Sequence, residues 1–255
     1  MRNTIRRKTV KFAMTTFLTA VLCTMLFMSA FAGNCFAENA DDNEILDQLR
    51  LIPASTLADA VDKAIGKPGF MKHDMRPMGN PQRMAGRAKT VQLAPVTSVA
   101  TLGARHSIET IDSSGPGDVI VIKGTSLDIA CIGGLMAHAV KIRKIEGVVI
   151  DGAARDITEL KELGVKVYAR SITTATGVGR QTSLNREIPV VCGGVTVTPG
   201  DYIVADYDGV VRIPAEHIEE VLKIALEMEA KEKEMVPKLK EIKSLKKVID
   251  MFKRI

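Results

Sequence analysis

Short apolar segments alternate with turn signals along this chain from residue 90 to residue 213. Gly, Pro and Asp, which favour turns, stand between them, and runs with helical spacing occur at 134–145 and 157–163. The apolar segments are 90–94, 118–124, 147–152, 165–169, 189–197 and 201–213. This alternation predicts an α/β or α+β domain in which helices pack against a sheet.

Helical patterns also occur before the first of these segments. Residues 38–50 begin as a polar lead-in and continue as a helix, and a second helix starts near Ser55 and is closed by Gly66. A loop rich in Met and Pro is predicted from Gly69 to about Arg87.

The C-terminal part of the chain, from Pro214 onward, is helical in pattern and highly charged. Pro237 is predicted to break this helix, because proline lacks the N–H that an α-helix requires. The main domain is therefore predicted to span 38–235, and residues 236–255 to form a basic amphipathic helix. We interpret its charges as a solvated face or a subunit contact in preference to membrane attachment.

The N-terminus has the pattern of an export signal. A basic stretch precedes an uncharged run, 12–37, that contains the A-x-A sequence of a signal-peptidase site at 30–32. Residues 1–37 are thus predicted to be a cleaved signal peptide, which implies a periplasmic or extracellular protein. The run is also long enough to span a bilayer, so an uncleaved, membrane-anchoring signal is the alternative.

Charge and composition narrow the possible partners. The chain has a formal net charge of +5, but five of its 35 basic residues lie before residue 12, and the other 30 are balanced by 30 acidic residues. With no Trp and only three Tyr, the chain also has few aromatic side chains for base stacking. No nucleic-acid partner is expected. The four cysteines form no metal-binding pattern, and Cys131 and Cys192 are predicted to be buried thiols.

The stretch 133–156 carries the candidate chemistry, and two interpretations of it are open. In the first, Asp156 and Glu159 form a capping box at the start of the helix 157–163, and Arg155 is a surface charge. In the second, Gly133 and Gly134 open a helix whose free N–H groups bind an anion. Arg155 would then clamp the same anion, and Asp156 would supply an oxygen ligand to Mg²⁺.

Several separated motifs, in order, resemble the RraA-like family, which includes 4-hydroxy-4-methyl-2-oxoglutarate aldolases with oxaloacetate decarboxylase activity. They are TLADAVDK (56–63), PGDVIVIKG (116–124), the stretch 133–156, the GVTVTPGD run (194–201) and ADYDGVVRIP (205–214). The resemblance implies an α-β-β-α sandwich similar to the swivelling phosphohistidine domain, with C-terminal helices. It also implies homotrimers or hexamers with active sites between subunits.

For the site, the resemblance implies that the backbone amides of Gly133, Gly134, Leu135 and Met136 bind the substrate. Arg155 would bind the carboxylate or keto oxygen of a small 2-oxo acid, and Asp156 would ligate a divalent cation, Mg²⁺ or alternatively Mn²⁺. Family aldolases cleave a carbon–carbon bond to give a pyruvate enolate, and oxaloacetate decarboxylation passes through the same enolate. The resemblance thus implies a metal-dependent lyase.

One departure from the family pattern affects this expectation. The family motif places an acidic residue twenty residues before Arg-Asp, and in this chain that position is Gly134. The carboxylate that would orient metal-bound water is therefore expected to be missing, which favours a non-catalytic binding or regulatory protein as the alternative. The family also uses a Glu from the C-terminal region of a neighbouring subunit, for which Glu229 and Glu232 are candidates.

Overall fold

The computed structural model of the protein describes residues 42–79, 83–96 and 103–253. By its internal contacts the chain divides into two units, 1–45 and 46–255. The predicted signal, 1–37, lies outside the described residues, and the described part of the first unit, 42–45, is helical. Of the helices that the structure describes, none combines the length and the apolar character needed to cross a bilayer.

The strands of the protein are built mainly from the apolar segments of the sequence. They are β1 (Arg76–Pro77), β2 (Met84–Pro95), β3 (Asp118–Lys123), β4 (Ala130–Ile132), β5 (Gly147–Ala154), β6 (Val167–Ile172), β7 (Gln181–Arg186), β8 (Val190–Cys192), β9 (Val195–Val197), β10 (Tyr202–Asp206) and β11 (Gly209–Ile213). Among the described residues, nine of these strands form one sheet, and β8 and β9 form a separate antiparallel ribbon.

Helices precede the sheet, connect its strands and follow it. They are α1 (42–51), α2 (Ala54–Ile65), α3 (Arg105–Ser113), α4 (Gly134–Ile142), α5 (Ile157–Leu163), α6 (Ile218–Ile242) and α7 (Leu245–Phe252), and a single 3₁₀ turn (Ala215–His217) leads into α6. The hydrophobic pattern located α4 and α5 well, because each helix packs one apolar face on the sheet.

The main sheet has the order β1-β6-β5-β3-β2-β10-β11, with β4 also paired to β5 and β7 to β2. Its centre, from β2 through β3 and β5 to β6, is parallel. Every residue of β5 is buried, as expected for a parallel strand covered on both faces. Parallel strands end at a common edge, so the residues that follow β4 and β5 lie close together.

Two hydrophobic clusters cover the two faces of the sheet. On one face, Ile120 and Ile150 pack with Ala137 and Val140 of α4 and Leu160 of α5. On the other, alternate residues of the same strands pack with side chains of the β8–β9 ribbon and of β10: Val119, Val121, Val149, Val190, Cys192, Val197 and Ile203. This layered α/β arrangement with C-terminal helices confirms the predicted fold class.

Two boundaries differ from those predicted. The loop predicted to extend to about Arg87 ends earlier, because β2 begins at Met84 and buries Met84 and Ala85. Pro237 does not break the C-terminal helix, which continues to Ile242. Pro237 is exposed, so water can solvate the carbonyl group that lacks an N–H partner. The break comes at Lys243, which has a left-handed backbone with φ 55°.

A network of four charged side chains lies at the sheet face covered by the β8–β9 ribbon. Arg170 donates hydrogen bonds to Asp74 and Asp151, at 2.7 and 2.9 Å, and Lys123 donates to the other oxygen of Asp151 at 2.6 Å. Burial acts to raise the pKa of Asp151, but the hydrogen bonds from Lys123 and Arg170 outweigh it and hold the pKa below its usual value. The hydrogen bond from Arg170 likewise lowers the pKa of Asp74.

We expect Asp151→Asn to lower the free energy of unfolding by about 2–4 kcal/mol at pH 7, because it leaves Lys123 and Arg170 without a buried anion. Since the folded-state pKa of Asp151 is depressed, its contribution is complete above about pH 4 and is lost as the pH falls through the folded-state pKa. Urea unfolding at pH 7 and pH 3 checks this. The difference in the free energy of unfolding between Asp151→Asn and the wild type should be smaller at pH 3 than at pH 7. As a control, Asp250→Asn, at an exposed position of α7, should leave the free energy of unfolding unchanged at both pH values.

Candidate active site

The glycine pair between β4 and α4 allows two chain segments to approach closely. Gly133 has an extended backbone and Gly134 begins α4. A Cβ atom at position 133 would stand 2.8 Å from Asp156 Oδ2 and 2.9 Å from Arg155 Nε, closer than real Cβ atoms come to other groups. Only glycine therefore fits here without displacing the Arg-Asp pair.

Strand β5 delivers Arg155 and Asp156 to the same edge of the sheet. The strand pairs in parallel with β4, and the N–H of Arg155 donates to the carbonyl of Ile132 at 3.2 Å. This edge lies at the carboxyl ends of the parallel strands, where α/β proteins commonly bind ligands. Both side chains are partly open to solvent, with exposed fractions of 38% and 40%.

Asp156 adopts a left-handed backbone conformation, with φ 59° and ψ 38°. Asp tolerates this region better than most residues, yet it still costs about 1–2 kcal/mol. The conformation turns the carboxylate away from α5 and toward α4, where Oδ2 accepts a hydrogen bond from the N–H of Gly134 at 2.8 Å and lies 3.5 Å from Arg155 Nε. The capping-box interpretation is wrong, because Asp156 makes no side-chain cap hydrogen bond to α5.

Glu159 is the site residue that the sequence alone did not reveal. Its carboxyl carbon lies only 2.5 Å from the place where a Cβ at position 134 would stand. The carboxylate thus fills the space of the side chain that Gly134 lacks. Glu159 Oε1 is also 3.0 Å from His138 Nε2, and the two side chains are half-exposed. The acid that the family motif places at position 134 is absent, as expected, but the carboxylate of Glu159, from α5, lies in the same space.

The signal for Glu159 was present in the sequence, since it lies three residues after Asp156. That spacing puts both residues in the first turn of one helix. From the sequence, this spacing predicts a capping box. Glu159 lies beside Gly134 through a tertiary contact between α4 and α5, which the local spacing does not reveal.

These groups form one end of a cavity of about 660 Å³. The first turn of α4, including Leu135 and Met136, lines it, and the first N–H groups of a helix have no partner within the helix. Residues of α3, the end of β2 and the start of β7 also line the cavity. The structure thus brings together all the residues of the 133–156 stretch for which a role was predicted.

Glu229 and Glu232 lie elsewhere, on α6. Glu229 Oε1 accepts a hydrogen bond from Thr56 Oγ1 of α2 at 2.8 Å, and neither glutamate lines the cavity of its own protomer. Their predicted contribution from a second subunit stays a prediction.

The acidic residues at the site fit Mg²⁺ or Mn²⁺ better than zinc. In the described part of the chain, no group of three or more His, Cys, Asp or Glu side chains is arranged to hold a metal. Zinc sites require three or four protein ligands, whereas Mg²⁺ binds through one or two carboxylates and keeps several waters. Asp156 and Glu159, both beside Gly134, match the second requirement.

Cys131 also borders the cavity but is not arranged as a nucleophile. Its side chain is buried, and burial raises the pKa of the thiol to about 11. The thiolate is the reactive form, so this cysteine stays protonated and inert at neutral pH. Cys131 and Cys192 are both free and buried, which confirms the prediction made for them.

Together, the doubly covered parallel sheet and the Arg-Asp-Glu cluster at its carboxyl edge define an α/β protein with a charged cluster beside a cavity. The sequence profile described as RraA-like, Aldolase/RraA, matches residues 54–212, well over half of the chain. The chain therefore belongs to the RraA-like family, as its motifs predicted.

Relatives with known names or structures agree with this assignment. A Halalkalibacterium halodurans protein, provisionally named a 4-hydroxy-4-methyl-2-oxoglutarate aldolase, is 35% identical over 193 residues, covering 73% of this chain and 84% of its own. An uncharacterised Pseudomonas syringae protein of known structure superimposes with a TM-score of 0.75 at 27% identity, covering 82% of this chain and 94% of its own.

A third relative connects the family to regulation. The structure of Streptomyces coelicolor RraAS2, described as an unusual member of the RNase ES inhibitor RraA family, superimposes with a TM-score of 0.66 at 25% identity. It covers 74% of this chain and 94% of its own. Proteins named as aldolases and as inhibitors thus share this fold.

Proposed function

We propose that this protein is a divalent-metal-dependent carbon–carbon lyase that acts on small 2-oxo acids. Its reactions would be the retro-aldol cleavage of 4-hydroxy-4-methyl-2-oxoglutarate, the decarboxylation of oxaloacetate, or both. The observation that carries the proposal is the convergence of Arg155, Asp156 and Glu159 beside the N-terminus of α4 in one solvent-accessible cavity. The aldolase names of its relatives support a lyase.

Arg155 would bind and orient the substrate. Its guanidinium group is a bidentate partner for a carboxylate, and it borders the cavity with 38% of the side chain exposed. Leu135 and Met136 line the same cavity in the first turn of α4, and their N–H groups, at the positive end of the helix, would donate to the same ligand. These fixed donors would stabilise the negative charge that develops on the keto oxygen during bond cleavage.

Asp156 and Glu159 would hold the divalent cation. When bound, Mg²⁺ or Mn²⁺ supplies positive charge that offsets the charge developing on the 2-oxo acid. Glu159 would also pass a proton released by the substrate to His138, whose Nε2 lies 3.0 Å from Glu159 Oε1.

The test is to measure pyruvate release from oxaloacetate and from 4-hydroxy-4-methyl-2-oxoglutarate, with and without EDTA. We expect release in the presence of Mg²⁺ and a loss of about 100-fold after chelation, since a bound cation contributes several kcal/mol to such transition states. Added Mg²⁺ should restore the rate. Pyruvate release that is unchanged by EDTA would contradict metal dependence.

A second candidate function is non-catalytic binding or regulation on the same fold. The specific observation that favours it is the similarity to the RNase ES inhibitor family member from Streptomyces coelicolor. The predicted export signal argues against a cytoplasmic nuclease as the target. Pyruvate release from neither acid would favour this second function.

A further inference from the structure

The C-terminal part of the protein leaves apolar side chains open to solvent. We define the C-terminal arm as residues 236–253, which comprise the end of α6 and the whole of α7. The structure describes all of these residues, and Val248 is the single buried one among them. Val236, Leu245 and Met251 have exposed fractions of 46%, 59% and 57%. Apolar surface of this kind, rimmed by charges, marks a site of contact with another molecule.

A shallow groove lies on the first half of α6, outside the candidate active site. Its lining residues follow the spacing i, i+3, i+4, i+7, i+8 and i+11: Glu219, Leu222, Lys223, Leu226, Glu227 and Ala230. On a helix, this spacing forms the holes into which a second helix inserts its side chains. We call this surface the α6 groove, and its geometry fits a helix as the occupant.

The α7 helix of the same chain does not reach the α6 groove. The groove ends at Ala230, and α6 continues from there to Ile242, a distance of about 18 Å along the helix axis. Helix α7 begins shortly after, at Leu245, and its 8 residues are about 12 Å long. Even when it folds back along α6, it stops short of the groove. Helix α7 can therefore occupy an α6 groove only on a second copy of the protein.

The α6 groove and the C-terminal arm belong to segments of opposite charge. Residues 218–234 of α6 include six acidic and three basic residues, whereas residues 235–253 include six basic and two acidic ones. Contact between the two segments is therefore attractive, and contact between two arms, each with a net positive charge, is repulsive. The charges thus favour a contact of arm with groove over a contact of like surfaces.

The side chains of α7 are arranged to fill such a groove. Leu245, Ile249 and Phe252 have the spacing i, i+4, i+7, so they form one stripe along the helix, and none of the three is buried. Lys246 and Lys253 are both exposed and follow one side of this stripe. Seven residues separate the two lysines, which is about 10 Å along the helix axis.

The acidic side chains of the α6 groove have a matching separation. Glu219 and Glu227 are both exposed and lie about 12 Å apart along the helix axis. They stand on one side of the apolar pair Leu222 and Leu226, with Lys223 between them. Two lysines about 10 Å apart can therefore pair with both glutamates while the α7 stripe covers the leucines.

We propose that subunits of this protein exchange their C-terminal arms, so that α7 of one copy packs in the α6 groove of another. The apolar stripe of α7 then covers Leu222 and Leu226, and its two lysines lie beside the two glutamates. Both surfaces lie outside residues 54–212, which match the family profile. Neither Glu229 nor Glu232 lines the groove, and the contact forms independently of any lyase activity.

Cysteine cross-linking of the full chain tests this contact. Leu226→Cys places a thiol in the α6 groove, and Leu245→Cys places one on the α7 stripe. Both are made in a background in which Cys23 and Cys35 are replaced by Ser, and the two remaining native cysteines are buried. The variants carry different tags and are co-expressed. We expect a disulfide-linked dimer with one copy of each tag, since a disulfide requires Cα atoms within about 7 Å of each other. Each variant alone should give at least about tenfold less dimer.

Charge reversal tests the pairing of lysines with glutamates. Lys246→Glu with Lys253→Glu in the arm variant should lower the yield of mixed dimer about tenfold, since like charges then face each other. Glu219→Lys with Glu227→Lys in the groove variant should restore the yield. Misfolding of either chain would not be repaired by changes in the other.

Three results would overturn the proposal. The first is the absence of the mixed dimer when both variants are folded. The second is a Leu245→Cys variant that alone gives as much dimer as the mixture, since two arms would then meet. The third is binding of the wild-type protein to phosphatidylglycerol vesicles that Lys246→Glu with Lys253→Glu abolishes, without a mixed dimer. That result would assign the arm to a membrane surface.

Discussion

Asp156→Asn is expected to lower Mg²⁺-dependent pyruvate release by about 100-fold or more while the protein remains folded. Asn has nearly the same shape as Asp and also tolerates the left-handed backbone at φ 59°. Its amide oxygen can still accept the hydrogen bond from the N–H of Gly134. What the substitution removes is the negative charge beside Arg155, and with it the proposed ligand for the cation.

Steady-state kinetics at several Mg²⁺ concentrations, together with thermal unfolding, checks this prediction. The free energy of unfolding should change by about 1 kcal/mol or less, since the shape and the backbone preference are kept. The matched control is Asp250→Asn, on exposed α7, which should alter neither property. Full Mg²⁺-dependent activity in Asp156→Asn would mean that this carboxylate does not bind the metal.

Gly134→Ala is expected to uncouple stability from activity. The φ of Gly134 is not positive, and alanine favours a helix over glycine by about 1 kcal/mol, so stability should be kept or increased. The new Cβ would, however, occupy the position of the Glu159 carboxylate. Since that group is the end of a flexible, half-exposed side chain, it should move aside, and activity should fall about 10- to 100-fold.

Double variants test whether the two positions share one function. If Gly134→Ala acts by displacing Glu159, then Glu159→Ala should lose a similar factor and the double variant should lose no more. Gly134→Asp combined with Glu159→Ala should recover part of the activity, because it returns a carboxylate to the same space from α4. Gly115→Ala, whose Cβ would meet nothing within 4 Å, is the control. Multiplicative losses in the double variant would show that the two residues act separately.

The elements of the fold were largely predictable from the sequence because their burial patterns are local. Residues 119–122 are all apolar and form the buried centre of the parallel strand β3, and the helix predicted at 157–163 matches α5 to the residue. Pro237 was misjudged because the cost of a proline depends on whether water reaches the carbonyl that loses its partner. That exposure is set by packing, which the local pattern does not contain.

The candidate site was only half predictable, for a related reason. Arg155 and Asp156 stand together in the chain, and family motifs pointed to them. The sequence neighbours of Glu159 form a capping pattern, which predicts a cap, whereas its neighbours in space are Gly134 and His138 of α4. By sequence, the glycine at position 134 predicts a missing carboxylate. In the fold, the carboxylate of Glu159 lies where a side chain at position 134 would stand.

The central claim, that a divalent cation and a 2-oxo acid meet at Arg155, Asp156 and Glu159, is tested most directly by a crystal structure with Mn²⁺ and oxalate, an analogue of the pyruvate enolate. We predict an anomalous Mn²⁺ peak about 2.1 Å from carboxylate oxygens of Asp156 and Glu159, with oxalate contacting the guanidinium of Arg155. Mn²⁺ bound elsewhere, or oxalate bound away from Arg155, would contradict the account.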